Sequence, residues 1–141
     1  MVFGCGTVNY NGLEDEYNYS PPGIVGLNNQ NLSLISQLDF KGFSYCFTPR
    51  DGADVDTPLP LGALVRYGGD RIPILSVASL VVSGWNTWIS LGQRRTCLAI
   101  VPTNKSSYVS ILGNIQQQNI NVGYNLNEGF VSFKPMDYTK L

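Results

Sequence analysis

The chain has 141 residues with a formal net charge of −1, is 43% hydrophobic and only 13% charged, and contains no histidine. A charge this close to zero excludes a nucleic-acid or anionic-membrane binder that works through bulk basicity. The missing histidine excludes Ser-His and Cys-His nucleophilic mechanisms and removes the commonest zinc ligand.

Other composition signals agree on class. The 15 glycines and 8 prolines describe a turn-rich globular chain, and 8 tyrosines with 6 phenylalanines favour strands over helices. No apolar run reaches the length that spans a bilayer. The opening Met1-Val2-Phe3-Gly4-Cys5-Gly6 has neither the basic start nor the long apolar stretch of a secretory leader. It reads as a short strand entered part-way.

Residues 7–22 are polar and acidic, with Glu14, Asp15 and Glu16 ahead of Ser20-Pro21-Pro22. This is a solvated loop closed by two prolines. Gly23-Ile24-Val25-Gly26-Leu27 follows as an apolar stretch with the look of a buried strand, its glycines admitting a close backbone neighbour. Leu32, Leu34, Ile35 and Leu38 then fall close to one helical face. They predict a short helix over residues 31–38, with Asn31 as its N-cap. Phe43, Tyr45 and Phe47 alternate with Ser44 and Cys46, which is strand spacing. Residues 48–58 are a loop rich in Pro, Asp and Gly.

A strand is expected near residues 59–65, then a turn at Gly68-Gly69-Asp70, then Ile72-Pro73-Ile74-Leu75. Residues 79–91 suggest a hairpin: Leu80, Val81 and Val82, a Ser83-Gly84 turn, then Trp85, Thr87 and Ile89. Cys97, Leu98, Ala99, Ile100 and Val101 read as another apolar strand, and residues 104–107 as a polar turn. Ser110-Ile111-Leu112-Gly113-Asn114 repeats the apolar-glycine pattern, and residues 114–118 fit one helical turn. The tail is the clearest element. Ile120, Val122 and Tyr124 alternate with polar residues and Gly123, as do Val131 and Phe133 after a turn at residues 125–129. That is an antiparallel hairpin with one apolar face. The fold class is all-β with one or two short helices.

Chemistry is sparse. A catalytic carboxylate pair needs a partly buried, apolar setting in which two like charges hold one proton between them. The acidic residues Glu14, Asp15, Glu16, Asp39, Asp51, Asp54, Asp56, Asp70, Glu128 and Asp137 nearly all stand in polar, turn-like surroundings. None is followed by Thr-Gly or Ser-Gly. Asp56-Thr57-Pro58 comes nearest, but proline replaces the glycine, and Asp56 is therefore not assigned a catalytic role. The cysteines Cys5, Cys46 and Cys97 form no Cys-x-x-Cys pair, so no metal or dithiol site is expected. Cys46 and Cys97, set in apolar strands, read as buried, inert thiols. Asn18-Tyr19-Ser20, Asn31-Leu32-Ser33 and Asn104-Lys105-Ser106 fit the glycosylation pattern, which has meaning only for a secreted chain. No catalytic, cofactor-binding or metal-binding residue is assigned, and no cofactor is expected.

Several segments, taken in order, resemble the plant pepsin-like aspartic proteases of the nepenthesin type. They are Phe3-Gly4-Cys5-Gly6, Gly23-Ile24-Val25-Gly26-Leu27, Leu32-Ser33-Leu34-Ile35-Ser36-Gln37-Leu38 and Phe43-Ser44-Tyr45-Cys46. The second half continues the likeness through Asn86-Thr87-Trp88-Ile89, Cys97-Leu98-Ala99-Ile100 and Ser110-Ile111-Leu112-Gly113-Asn114. It closes on residues 116–126 and Val131-Ser132-Phe133-Lys134-Pro135. The wheat-type xylanase inhibitors share much of this pattern.

The resemblance implies part of a bilobal pepsin-like fold. Residues 1–75 would be the C-terminal part of an N-lobe-like unit and residues 76–141 that of a C-lobe-like unit. Residues 61–70 resemble the crossing between lobes. In the family each lobe's apolar-glycine stretch packs beside an Asp-Thr-Gly or Asp-Ser-Gly loop that supplies one catalytic aspartate. Neither loop occurs here. The first would lie upstream of Met1 and the second in a segment absent between about residues 74 and 79. The expectation is a truncated homologue of an aspartic endopeptidase that is catalytically inactive, or else a non-catalytic binding module of the xylanase-inhibitor kind. The implied partners are a peptide or protein substrate in the family, or a glycan hydrolase for the inhibitor reading, with no nucleic acid and no membrane. The resemblance suggests a secreted protein, although no leader is visible in this sequence. It also implies disulfide partners that none of the three cysteines finds here, and Tyr138 stands where the family has the partner of Cys46. Lobes without these parts are expected to expose strand edges and apolar faces.

Overall fold

The computed structural model describes residues 1, 25–49, 56–74, 87–90, 94–100 and 111–137. The chain divides into two compact units, Met1–Lys41 and Gly42–Leu141.

In the first unit the helix is shorter than the apolar spacing suggests. Helix α1 spans Leu34–Gln37, and its cap is Ser33, not Asn31. The Ser33 hydroxyl accepts a hydrogen bond from the Ser36 amide at 3.1 Å, satisfying a donor that the first turn leaves open. The helix stops at once because Asp39 turns to φ 54 and the Phe40 amide donates back to the Ile35 carbonyl. Ile35 is buried, whereas Leu32 and Leu38, assigned to the same face, are exposed.

The second unit is built on a four-stranded antiparallel sheet. Its strands are β1 (Gly42–Cys46), β2 (Asp70–Pro73), β5 (Ile120–Asn125) and β6 (Phe130–Pro135), in the order β1-β5-β6-β2. A separate two-stranded ribbon pairs β3 (Trp88–Ser90) with β4 (Thr96–Leu98). One helical turn, α2 (Asn114–Gln117), precedes β5.

The alternation read in the sequence sets the two faces of the sheet. Phe43 pairs with Tyr124, Tyr45 with Val122, and Val122 in turn with Phe133, so these side chains share one face. The Phe43 and Tyr124 rings stack with centroids 4.6 Å apart and planes 11° apart. Such a pair contributes about 0.5–1.5 kcal/mol beyond its area. On the other face the Ser44–Gly123–Ser132 row crosses the same three strands and is fully buried. The hairpin between β5 and β6 closes as expected. The Asn125 side chain accepts from the Glu128 amide at 2.9 Å, and Gly129 takes φ +69.

Residues 59–65 do not form the expected strand. Pro58 and Pro60 have no amide hydrogen to donate to a ladder. The segment makes one bridge, Leu61 to Phe43, and then a 3-10 turn over Gly62–Leu64 that begins at Gly62 with φ 57. Of the proposed hairpin in residues 79–91, Leu80, Val81, Val82, Ser83, Gly84 and Trp85 lie outside the described residues, as does the N-terminal strand.

Candidate functional site

The described residues of the two apolar-glycine stretches form no buried strand. Gly23 and Ile24 lie outside the described residues, and Val25 is 67% exposed in irregular backbone. The Gly26 carbonyl accepts from the Leu34 amide, so it serves the entry to α1 instead of a ladder. In the second stretch Ile111 is 86% exposed and Gly113 stands at the start of α2. This turn is fixed by glutamines. Gln117 donates to the Leu112 carbonyl at 2.8 Å and accepts from the Tyr45 hydroxyl at 2.6 Å. Gln116 donates to the Ala99 carbonyl at 2.6 Å, tying the end of β4 to α2. No local sequence pattern signals this role, because it depends on contacts with Tyr45 and Ala99 far away in the chain.

The described carboxylates all face solvent. Asp39, Asp56, Asp70, Glu128 and Asp137 are all exposed, and Asp39 forms a surface ion pair with Lys41. Glu14, Asp15, Glu16, Asp51 and Asp54 lie outside the described residues. Among the described residues no group of three or more His, Cys, Asp or Glu side chains converges to hold a metal ion.

The two described thiols differ. Cys46 is free and 4% exposed, and burial pushes its pKa up, which keeps it protonated and inert. Cys97 is also free but exposed, contrary to the reading that buried both. It lies on β4, and both flanking residues, Thr96 and Leu98, are exposed as well. Cys5 and Tyr138 lie outside the described residues. Asn31 is exposed, but Asn18 and Asn104 are not described.

A concave surface forms on the sheet face opposite the aromatic stack. Cys46, Asn121 and Lys134 stand in one row across β1, β5 and β6 and make its floor, beside Ser44. Pro58, Pro60, Leu64, Arg66 and Tyr67 make its wall. The cavity volume is about 300 Å³. Three contacts pin the wall to the sheet. The Ser44 amide donates to the Pro60 carbonyl at 3.0 Å, the Asn121 side chain to the Arg66 carbonyl at 3.1 Å, and the Tyr67 hydroxyl to the Tyr124 carbonyl at 3.3 Å. Burial, then the Glu128 charge, raises the Tyr67 pKa and keeps the phenol a donor. Strand parity in the sequence already places the floor residues on one face. The wall is not legible there, because the apolar residues of 59–65 suit a strand.

Comparison with known proteins gives a consistent picture. Residues 28–135 match the family model described as xylanase inhibitor C-terminal. Over 106 residues, 73% of the chain, the sequence is 32% identical to aspartic proteinase nepenthesin-1 of Nepenthes gracilis, covering 23% of that protein. Over 52 residues, 36% of the chain, it is 40% identical to aspartic proteinase PCS1 of Arabidopsis thaliana, covering 11% of that protein. The chain thus spans less than a quarter of the length of either relative. No solved structure matches it significantly.

Proposed function

Because the chain belongs to the xylanase inhibitor C-terminal family of plant pepsin-like proteins, we propose that residues 1–141 are a non-catalytic portion of an aspartic-peptidase-like fold. The observation that carries this is the state of the carboxylates. No aspartate stands in an Asp-Thr-Gly or Asp-Ser-Gly sequence, and every described carboxylate is exposed. Peptide hydrolysis of this class needs two carboxylates about one water, one acting as base while the other donates a proton to the carbonyl oxygen. Carboxylates exposed to water lack the partly buried, apolar setting in which two of them hold one proton.

Within this proposal residues 1–75 and 76–141 derive from the two lobes of the fold. The sheet interleaves them, taking β1 and β2 from one and β5 and β6 from the other. The matched family range runs across that division.

The test is hydrolysis of an unfolded protein substrate at acid pH by the purified chain. The expected rate equals the uncatalysed background. Cleavage that an active-site-directed aspartic peptidase inhibitor abolishes would overturn the proposal.

A second reading is favoured by the family's description as a xylanase inhibitor domain. In it the chain binds a protein partner, a glycan hydrolase being the first to try. Saturable binding of a purified xylanase, with loss of its activity, is the outcome that supports it. No change in xylanase rate at saturating chain concentration is the outcome that removes it.

A further inference from the structure

The cavity on the sheet face opposite the aromatic stack has a chemical bias that peptide hydrolysis does not use. Its floor and wall carry two cations, Arg66 and Lys134, and no carboxylate. Neither cation has a salt-bridge partner among the described residues. The rest of the lining is mainly apolar or aromatic, and it ends at Leu64, a leucine 75% exposed. A volume of about 300 Å³ lies at the small end of ligand pockets.

The positions of both cations are set by neighbouring backbone. The carbonyl of Arg66 is held by Asn121, which fixes where that side chain leaves the wall. The Lys134 stem runs beside Gly68, whose missing side chain makes room for it. A β-carbon added at Gly68 would fall 2.9 Å from Lys134 Cδ. A guanidinium and an ammonium beside an apolar hollow suit a ligand with one anionic end and one apolar end.

We propose that the cleft between the β1-β5-β6 face and residues 58–67 binds a small carboxylate with an apolar ring, its carboxylate held by Arg66 and Lys134. The ring would lie over Cys46 and against Pro60 and Tyr67. The wall is pinned at three points, so the site exists before the ligand arrives and little ordering opposes binding. This function is independent of whether the chain cleaves peptides.

The test uses the full chain, isotopically labelled, titrated with sodium benzoate and followed by backbone amide shifts. Saturable shifts are expected at Ser44, Cys46, Asn121 and Lys134. Benzyl alcohol, which keeps the ring and lacks the charge, should bind about tenfold more weakly, the factor of one charge-assisted hydrogen bond. Arg66→Gln and Lys134→Gln alter exposed side chains, and each should weaken benzoate by a similar factor. Absence of saturable shifts, equal binding of benzyl alcohol, or benzoate affinity unchanged in both variants would each overturn the proposal. The benzyl alcohol comparison uses the unaltered chain and stands whether or not a variant folds.

Discussion

Tyr67 fills the space that a side chain at Gly123 would occupy. A β-carbon built on Gly123 falls 3.1 Å from Tyr67 Cδ1 and 2.8 Å from Ser132 Oγ. The same ring reaches across to Gly42, where an added β-carbon would meet the Tyr67 hydroxyl and lie 2.5 Å from the Tyr124 carbonyl oxygen. Two glycines on adjacent strands thus make the bed for one tyrosine, and that tyrosine walls the cavity.

Gly123→Ala should therefore destabilise the chain by about 1–3 kcal/mol, the usual range for overpacking. Gly42→Ala should cost more, since the obstacle there includes backbone that cannot rotate away. Urea midpoints of the two variants check this. In a Tyr67→Ala background the cost at Gly123 should shrink, because one of its two close neighbours is gone. An unchanged cost in that background would show that Tyr67 is not what Gly123 accommodates.

Gly129 is a different kind of glycine. Its φ is +69, yet a β-carbon there would meet nothing within 4 Å. The penalty of Gly129→Ala is thus conformational alone, about 1 kcal/mol. Gly129→Asn should recover part of it, since asparagine tolerates the left-handed region. Thermal midpoints in the order glycine, asparagine, alanine are expected, and equality of the last two would argue against this account of the turn.

Burial, reinforced by the neighbouring Tyr124, holds the pKa of Tyr45 well above its ordinary value of 10.0. The sign follows from linkage. A raised folded pKa contributes stability below the unfolded pKa, and that contribution is lost as pH rises above it. Stability should fall on the alkaline side of about pH 10, and Tyr45→Phe should flatten that fall. The same variant should lose about 1 kcal/mol at neutral pH, because Gln117 loses a donor to its side-chain oxygen. Melting curves across the alkaline range, with and without the substitution, measure both effects.

The two described thiols should label at very different rates. Cys97 is exposed on the ribbon and should react readily with iodoacetamide. Cys46 is almost fully buried on the cavity floor and burial raises its pKa, so it should react far more slowly. Mass-spectrometric mapping of the two peptides over time decides this. Equal rates would place Cys46 outside a stable core.

What the sequence determined by itself is local. Alternation at Phe43-Ser44-Tyr45-Cys46 and at Ile120 through Phe133 located β1, β5 and β6 and assigned their faces, because the pleat gives a strict period of two. The absence of any Asp-Thr-Gly or Asp-Ser-Gly sequence was equally legible. The N-cap was misplaced by two residues because Asn31 and Ser33 are both good caps, and only the hydrogen bond from Ser36 chooses between them. Tertiary structure decided the rest. Residues 59–65 carry strand-like residues, yet Pro58 and Pro60 limit their ladder, and the segment becomes the wall of a cavity. Val25, Cys97 and Ile111 look like core residues and are exposed, while Cys46 is buried. Apolar character states only a preference for burial. Whether it is met depends on which distant segment arrives to cover it, as Tyr124 does for Phe43.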